Sequence, residues 1–185
     1  MDRKIKFMFW WRLTDEKWFD LIIKRIEKYK SSQTINDIHI DIFGDGVYSS
    51  ELQNLIAVNK IQTVKYHWRQ PKATITKYIS ETDYALMPSR FIETFGLSAL
   101  ESCENGKPLI GFRKWGLSQF ILPELDIDKY HSDNWEFWQF EKCMLDIVNN
   151  FDINIYTSQS HTSSRISKNF TQKKRLQNLE NIISK

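Results

Sequence analysis

The stretch "ALMPSRFIETFGLSALESCENGKPLIGF", residues 85–112, decides the fold. It leaves a buried strand-like run, "DYALMPS" (83–89), and crosses a short loop to Gly96. It continues as a helix-like run, "GLSALESCENG" (96–106), closed by Gly106, and returns as a second strand, "KPLIGF" (107–112). A strand, a helix and a strand joined by such short links form a βαβ unit, whose two strands must be parallel.

The same alternation extends upstream. "IKFMFWW" (5–11) reads as a buried strand. "DEKWFDLIIKRIEKYK" (15–30) carries Phe19, Ile22, Ile23, Ile26 and Tyr29 at helical spacing. "NDIHIDIF" (36–43) reads as a strand, stopped by Gly44-Asp45-Gly46. "SSELQNLIAV" (49–58) reads as a helix with a serine cap. "IQTVKYHW" (61–68) reads as a strand and "KATITKYIS" (72–80) as a helix starting beside Pro71. The expected fold is therefore α/β, a Rossmann-like parallel sheet with helices on both faces.

Beyond residue 117 the pattern changes. "NWEFWQFEKCMLDIVNNF" (134–151) reads as a helix, the polar, Ser-rich 153–165 as a loop, and 166–184 as an amphipathic terminal helix. Residues 1–185 are read as one domain, with its core at about 5–120 and a C-terminal helical region at about 134–185.

Composition narrows the function classes. The chain has 185 residues, 41% of them apolar, enough for one core. Mean hydropathy is −0.49, and no apolar run approaches the ~20 residues of a membrane span. A net charge of +3 is too mild to argue for nucleic acid and suits a small anionic ligand. Cys103 and Cys143 are far apart, and the four histidines show no ligand spacing, so neither a redox motif nor a metal is expected. A reducing cytoplasm is the simplest compartment.

Ligands of open parallel sheets sit beyond the carboxyl ends of the strands. Arg12 and Lys17 follow the first expected strand, Gly44-Asp45-Gly46 the second, and His67-Trp68-Arg69 the third. Ser89 through Gly96 follow the fourth, and Arg113 through Gly116 the fifth. Gly96 allows close backbone approach, and the helix that begins there offers free N–H groups and a positive dipole end, an anion site. Glu93 precedes that site and Glu101 follows it. Carboxylates beside a phosphate site suit the hydroxyls of a ribose or a sugar, from which they accept paired hydrogen bonds. Taken alone, the two glutamates equally fit a loop charge and a solvated helix residue.

Together these stretches resemble a known family. Glu93-Thr-Phe-Gly-Leu-Ser-Ala-Leu-Glu101 is similar to the E-x7-E motif of retaining GT-B glycosyltransferases of the group 1, or family 4, type. The surrounding Pro88-Ser89 and Gly106-Lys107-Pro108 match as well. Arg12-Leu13 with Lys17, and Gly44-Asp45-Gly46, resemble two further segments of that family. The resemblance covers roughly residues 5–120 and, more weakly, the region around Phe170.

It implies the donor-binding half of a transferase that moves a sugar from a UDP-, GDP- or ADP-sugar to a glycan or lipid-linked acceptor, as in polysaccharide biosynthesis. Arg12 and Lys17 would neutralise the donor pyrophosphate, helped by the amides near Phe95, Gly96 and Leu97. Glu101 would bind the ribose and Glu93 the donor sugar. The base would lie around Tyr66 to Trp68, with Gly44, Gly46 and His67 also lining the donor site. No metal or cofactor is implied. The N-terminal acceptor half is expected to be absent from this chain, which then needs it, or a partner subunit, for full activity. The basic Lys173-Lys174-Arg175 offers a peripheral contact with an anionic membrane surface at its inner face.

Four positions depart from the family pattern. Trp11, Trp18, Trp68 and Trp115 stand where it usually has glycine. Rings there either reshape the donor pocket or pack against the missing half. A non-catalytic nucleotide-binding module of the same fold is the alternative function. A dinucleotide oxidoreductase ranks last, because "WWRLTD" replaces G-x-G-x-x-G after the first strand. Asp126-Ile127-Asp128, a D-x-D in a loop, is read as chance.

Overall fold

A computed structural model describes residues 4–29, 38–89, 91–130 and 136–170. Strand β1 (Ile5–Trp10) lies at the centre of a five-stranded sheet. It pairs on one side with β2 (Ile38–Phe43) and on the other with β4 (Tyr84–Met87). β3 (Val64–Tyr66) flanks β2 and β5 (Leu109–Gly111) flanks β4, giving the order β3-β2-β1-β4-β5, all parallel. Phe7, Met8 and Phe9 are consecutive and fully buried, as expected of a strand covered on both faces.

Four helices connect these strands: α1 (Phe19–Tyr29), α2 (Ser49–Val58), α3 (Lys72–Glu81) and α4 (Leu97–Glu104). Right-handed crossovers place α1 and α2 on one face and α3 and α4 on the other. Phe9 meets Phe19 at 5.0 Å between ring centroids, which seats α1 on β1. Each buried ring of this kind stabilises the fold by roughly 1.5–3 kcal/mol before the entropy of ordering is counted. α5 (Glu136–Asn149) packs on α1, and α6 (Ile153–Lys168) packs on α4. Glu141 of α5 accepts ion pairs from Arg25 and, at 2.7 Å, from Lys28, both on α1.

The differences from the sequence expectations have physical causes. The helix expected from residue 15 begins at Phe19, because Asp15–Lys17 is a separate 3-10 turn and Trp18 is left-handed at φ +49°. Ser49 does not cap α2. Its hydroxyl accepts from the Gly46 N–H at 3.0 Å and donates to Asp45 at 2.9 Å, bracing the preceding turn. The third strand shrinks to three residues at the sheet edge.

The expected Ser-rich loop at 153–165 is helical. Asp152 caps it by accepting from the N–H groups of Asn154 (2.7 Å) and Ile155 (3.3 Å). Ser163 and Ser167 are buried, so the small residues form a packing surface. Of the helix expected at 166–184, residues 166–168 form the last turn of α6. Residues 171–185, with the basic 173–175 cluster, lie outside the described residues. Among the described residues no helix is long and apolar enough to cross a membrane.

Candidate active site

From β1 the chain builds outward to β2 and β3, then crosses back to β4 and β5. The crevice of such a sheet lies at that reversal, beyond the carboxyl ends of β1 and β4. Trp11 and Arg12 leave β1 there, and residues 88, 89 and 91–96 follow β4. Two hollows open on this rim and share Trp11 and Arg12. One, of about 650 Å3, is lined further by Lys17, Glu93, Phe95, Gly96 and Leu97. The other, of about 1000 Å3, is lined further by Gly44, Gly46, Arg69, Gln70 and Ile75.

Local backbone chemistry builds the smaller hollow. Gly96 sits at φ +85°, a left-handed conformation that favours glycine, and a Cβ there would lie 2.8 Å from Leu117 Cδ2. The residue therefore serves packing against the chain as well as the start of α4. The first N–H groups of that helix lack intrahelical partners and open on the hollow at Leu97 and Ser98. The Phe95 ring packs edge-on to Phe120 (5.5 Å) and Phe170 (5.4 Å), and so anchors the loop. Gly116 approaches the loop from behind. Its N–H donates to the Glu93 carbonyl at 2.7 Å, and a Cβ there would lie 2.5 Å from that oxygen.

Lys17 is buried and its ammonium is ion-paired with the Glu93 carboxylate, the two side chains being 10% and 16% exposed. Ser89 Oγ lies 3.4 Å from the same carboxylate oxygen. Arg12 is exposed and pairs with Glu16 at 3.2 Å. The Phe91 N–H donates to the Glu16 carbonyl at 3.2 Å, linking the β4 loop to the 3-10 turn. Arg12, Lys17, Glu93, Phe95, Gly96 and Leu97 thus converge, as a site built on their sequence neighbourhoods requires.

Glu101 is placed differently. It projects from α4 toward α3, where Lys72 Nζ binds it at 2.9 Å, and it is not among the lining residues of either hollow. The hydrogen bond to Glu101 raises the Lys72 pKa above its ordinary value.

Gly44 and Gly46 line the wider hollow, yet both press on their own chain. A Cβ on Gly44 would lie 1.9 Å from the Trp11 carbonyl oxygen, and one on Gly46 would lie 2.4 Å from that of Leu13. The Gly-Asp-Gly turn clamps the segment that carries Arg12, and the Leu13 N–H donates to the Asp45 carbonyl at 3.0 Å. His67 lines neither hollow. It stacks on Phe43 at 4.4 Å and, with His39, contacts the buried Asp41 carboxylate. Burial pushes the Asp41 pKa up, but hydrogen bonds and charge from the two histidines outweigh it and hold it below the usual 3.8. Residues singled out less clearly by sequence also belong to the rim. Arg69 and Gln70 line the wider hollow, and Ser89 buttresses Glu93. Ser89 is legible from its place after the fourth strand and in the Pro-Ser pair, and Gln70 carried no signal.

The tryptophans retain glycine-like backbone. Trp18, Trp68 and Trp115 have φ of +49°, +55° and +48°. That conformation costs a non-glycine residue roughly 1–2 kcal/mol. Trp18 is buried and packs edge-on against Phe112 at 4.2 Å, so it belongs to this chain's own core. Trp68 and Trp115 are exposed on the rim. Trp11 stacks on Trp10 at 4.5 Å. In the D-x-D, Asp126 accepts from the N–H groups of Arg113 (3.0 Å) and Asp128 (3.1 Å), and Asp128 pairs with Lys114 (2.9 Å). Both aspartates are engaged in holding the loop. Among the described residues there is no cluster suited to a metal ion.

The chain is 30% identical over 167 residues to the UDP-N-acetylglucosamine–peptide N-acetylglucosaminyltransferase GtfA subunit of Limosilactobacillus reuteri, covering 88% of this chain and 31% of that protein. Its fold matches the pneumococcal O-GlcNAc transferase GtfA, solved with UDP and GlcNAc, at a TM-score of 0.73 and 24% identity. It matches TarM of S. aureus, solved with UDP among its ligands, at 0.72 and 18%. These alignments cover 98% and 99% of this chain and 36% of each of those, so the chain spans about a third of their length. The sheet and helices correspond to one half of the GT-B architecture. A sequence model of the family Glycosyl transferases group 1 matches residues 2–133, and the chain belongs to that family.

Proposed function

We propose that this chain is the donor-holding half of a retaining glycosyltransferase that takes a sugar from a nucleoside-diphosphate sugar. One observation carries the proposal. Arg12, Lys17, Glu93 and the start of α4 share one hollow at the reversal point of the sheet. When the bond from the anomeric carbon to the diphosphate oxygen breaks, negative charge grows on the leaving oxygen. Cations and helix amides gathered at that oxygen stabilise the charge.

The Glu93 carboxylate suits hydroxyls of the sugar. Glu101 would reach the ribose by leaving Lys72, and the base would lie by the loop after β3, beside Arg69 and Gln70. The acceptor, a glycan or a lipid-linked glycan, would be held by an N-terminal half or a partner subunit facing the rim. The UDP in the names of similar structures makes UDP-sugars the first donors to try, ahead of GDP- and ADP-sugars. The chemistry proposed uses no metal.

Calorimetric titration with UDP, GDP and ADP tests the reading. Saturable binding of one of them, lost in Arg12→Ala and Lys17→Ala, supports it. Binding that survives both substitutions sinks it. A non-catalytic nucleotide-binding module is the second reading, favoured by the self-paired state of Lys17, Arg12 and Glu101. Sugar transfer by the chain joined to its other half would eliminate it.

A further inference from the structure

We propose that Glu93 is a latch on Lys17 that lets the site distinguish a sugar-bearing diphosphate from a spent one. The inference rests on the donor-site reading above. Glu93 and Lys17 cannot be treated as two independent ligand groups, because they are bound to each other inside the hollow. The pair is largely buried; among the described residues the Ser89 hydroxyl lies 3.4 Å from Glu93, and the Phe91 ring centroid lies 5.5 Å from Lys17 Nζ.

A diphosphate entering this hollow faces two poor choices. If Lys17 stays on Glu93, the phosphates lose a cation and sit beside a carboxylate. If Lys17 turns to the phosphates, the largely buried Glu93 loses the cation that it is paired with, a costly change. Sugar hydroxyls remove the conflict, since they donate to a carboxylate and satisfy it in place of the ammonium. The intact donor therefore opens the latch. Once the sugar has been transferred, its hydroxyls are gone, Glu93 recaptures Lys17, and the diphosphate is released. The carboxylate thus acts on the diphosphate through Lys17, in addition to its own contact with the sugar.

The test uses UDP and UDP-N-acetylglucosamine as probes, titrated calorimetrically against the wild type, Glu93→Gln and Lys17→Met. The latch predicts that the wild type binds the sugar nucleotide about tenfold more tightly than UDP, the scale of one desolvated charge pair. Glu93→Gln should tighten UDP by about tenfold and erase the difference between the two probes. Lys17→Met should weaken both. If Lys17→Met weakens UDP but Glu93→Gln leaves it unchanged or weaker, the latch is overturned and the donor site stands. If UDP binding is absent or indifferent to Lys17, both fail.

A measurement on the wild type alone guards against a variant that misfolds. Saturation-transfer NMR of free N-acetylglucosamine should strengthen when UDP is added, because UDP draws Lys17 away and frees Glu93. An unchanged or weaker signal would overturn the latch.

Discussion

Replacing Gly116 by alanine drives a methyl group into the backbone that carries Glu93. The added Cβ would lie 2.5 Å from the Glu93 carbonyl oxygen and 2.6 Å from both the carbonyl carbon and oxygen of Thr94. Atoms of this kind do not approach closer than 3.0 Å, so the loop must retreat by at least 3.0 − 2.5 = 0.5 Å. All three contacts are backbone, and no flexible side chain can swing aside. Overpacking of this kind costs roughly 1–3 kcal/mol. The 2.7 Å hydrogen bond from the Gly116 N–H to the same carbonyl is strained as well, adding about 1 kcal/mol. For a domain of this size the sum lowers the melting temperature by roughly 4–16 °C.

The retreat also shifts Glu93 relative to Lys17, and a misplacement near 1 Å at a reacting site costs on the order of 100-fold in rate. Thermal unfolding by circular dichroism, paired with UDP-sugar titration, reads both effects. Gly106→Ala is the control. It adds left-handed strain at φ +66° and a 3.1 Å contact with Ser160, but it lies at the far end of α4. It should cost stability alone. A Gly116→Ala protein with wild-type melting and wild-type donor affinity would refute the packing argument.

Other expectations follow from the same physics. Asp41 has a folded pKa below 3.8, so its contribution is fully present above 3.8 and fades as the pH falls through the lower folded value. Urea unfolding of the wild type and Asp41→Asn should differ most above pH 4 and differ less as the pH falls further, and a constant difference would contradict the histidine pairing. Ser163→Leu should destabilise by about 1–3 kcal/mol, because Ser163 is fully buried on α6. A loop at that position would leave the melting temperature unchanged. Lys72→Met should free Glu101 and leave the melting temperature within its measurement error, since the lysine side chain is exposed. A drop larger than that would mean Lys72 holds α3 to α4.

The sheet was legible because each strand is a short apolar run bounded by glycine, proline or polar residues. Ile38–Phe43 ends at Gly44, and Tyr84–Met87 ends at Pro88. The strand order was not read from the sequence; it comes from the pairing of the strands. The region after residue 150 was harder to read. The stripe of α6 is made of Gln159, Ser163 and Ser167, buried by close approach of α4, and hydropathy does not register small polar residues as a core.

The site was partly legible for a related reason. Lys17, Glu93 and Gly96 lie near strand ends, so topology gathers them. Their mutual pairing depends on side-chain reach across 76 positions, which no local pattern encodes. His67 was misleading because a histidine after a strand looks like a ligand group, and only the tertiary placement of Asp41 explains it. The tryptophans gave the opposite lesson. Trp18 and Trp115 hold the left-handed turns that glycine would hold, so a sequence departure left the backbone path intact.

The central claim is that a nucleoside diphosphate binds between the β1 loop and the start of α4. Amide chemical-shift mapping of the isotopically labelled chain during UDP titration tests it most directly. The account predicts saturable shifts at Gly96, Leu97 and Ser98, with companions at Arg12 and Lys17, and small changes on α5 and α6. Shifts confined to other parts of the surface, or none at millimolar UDP, would contradict it.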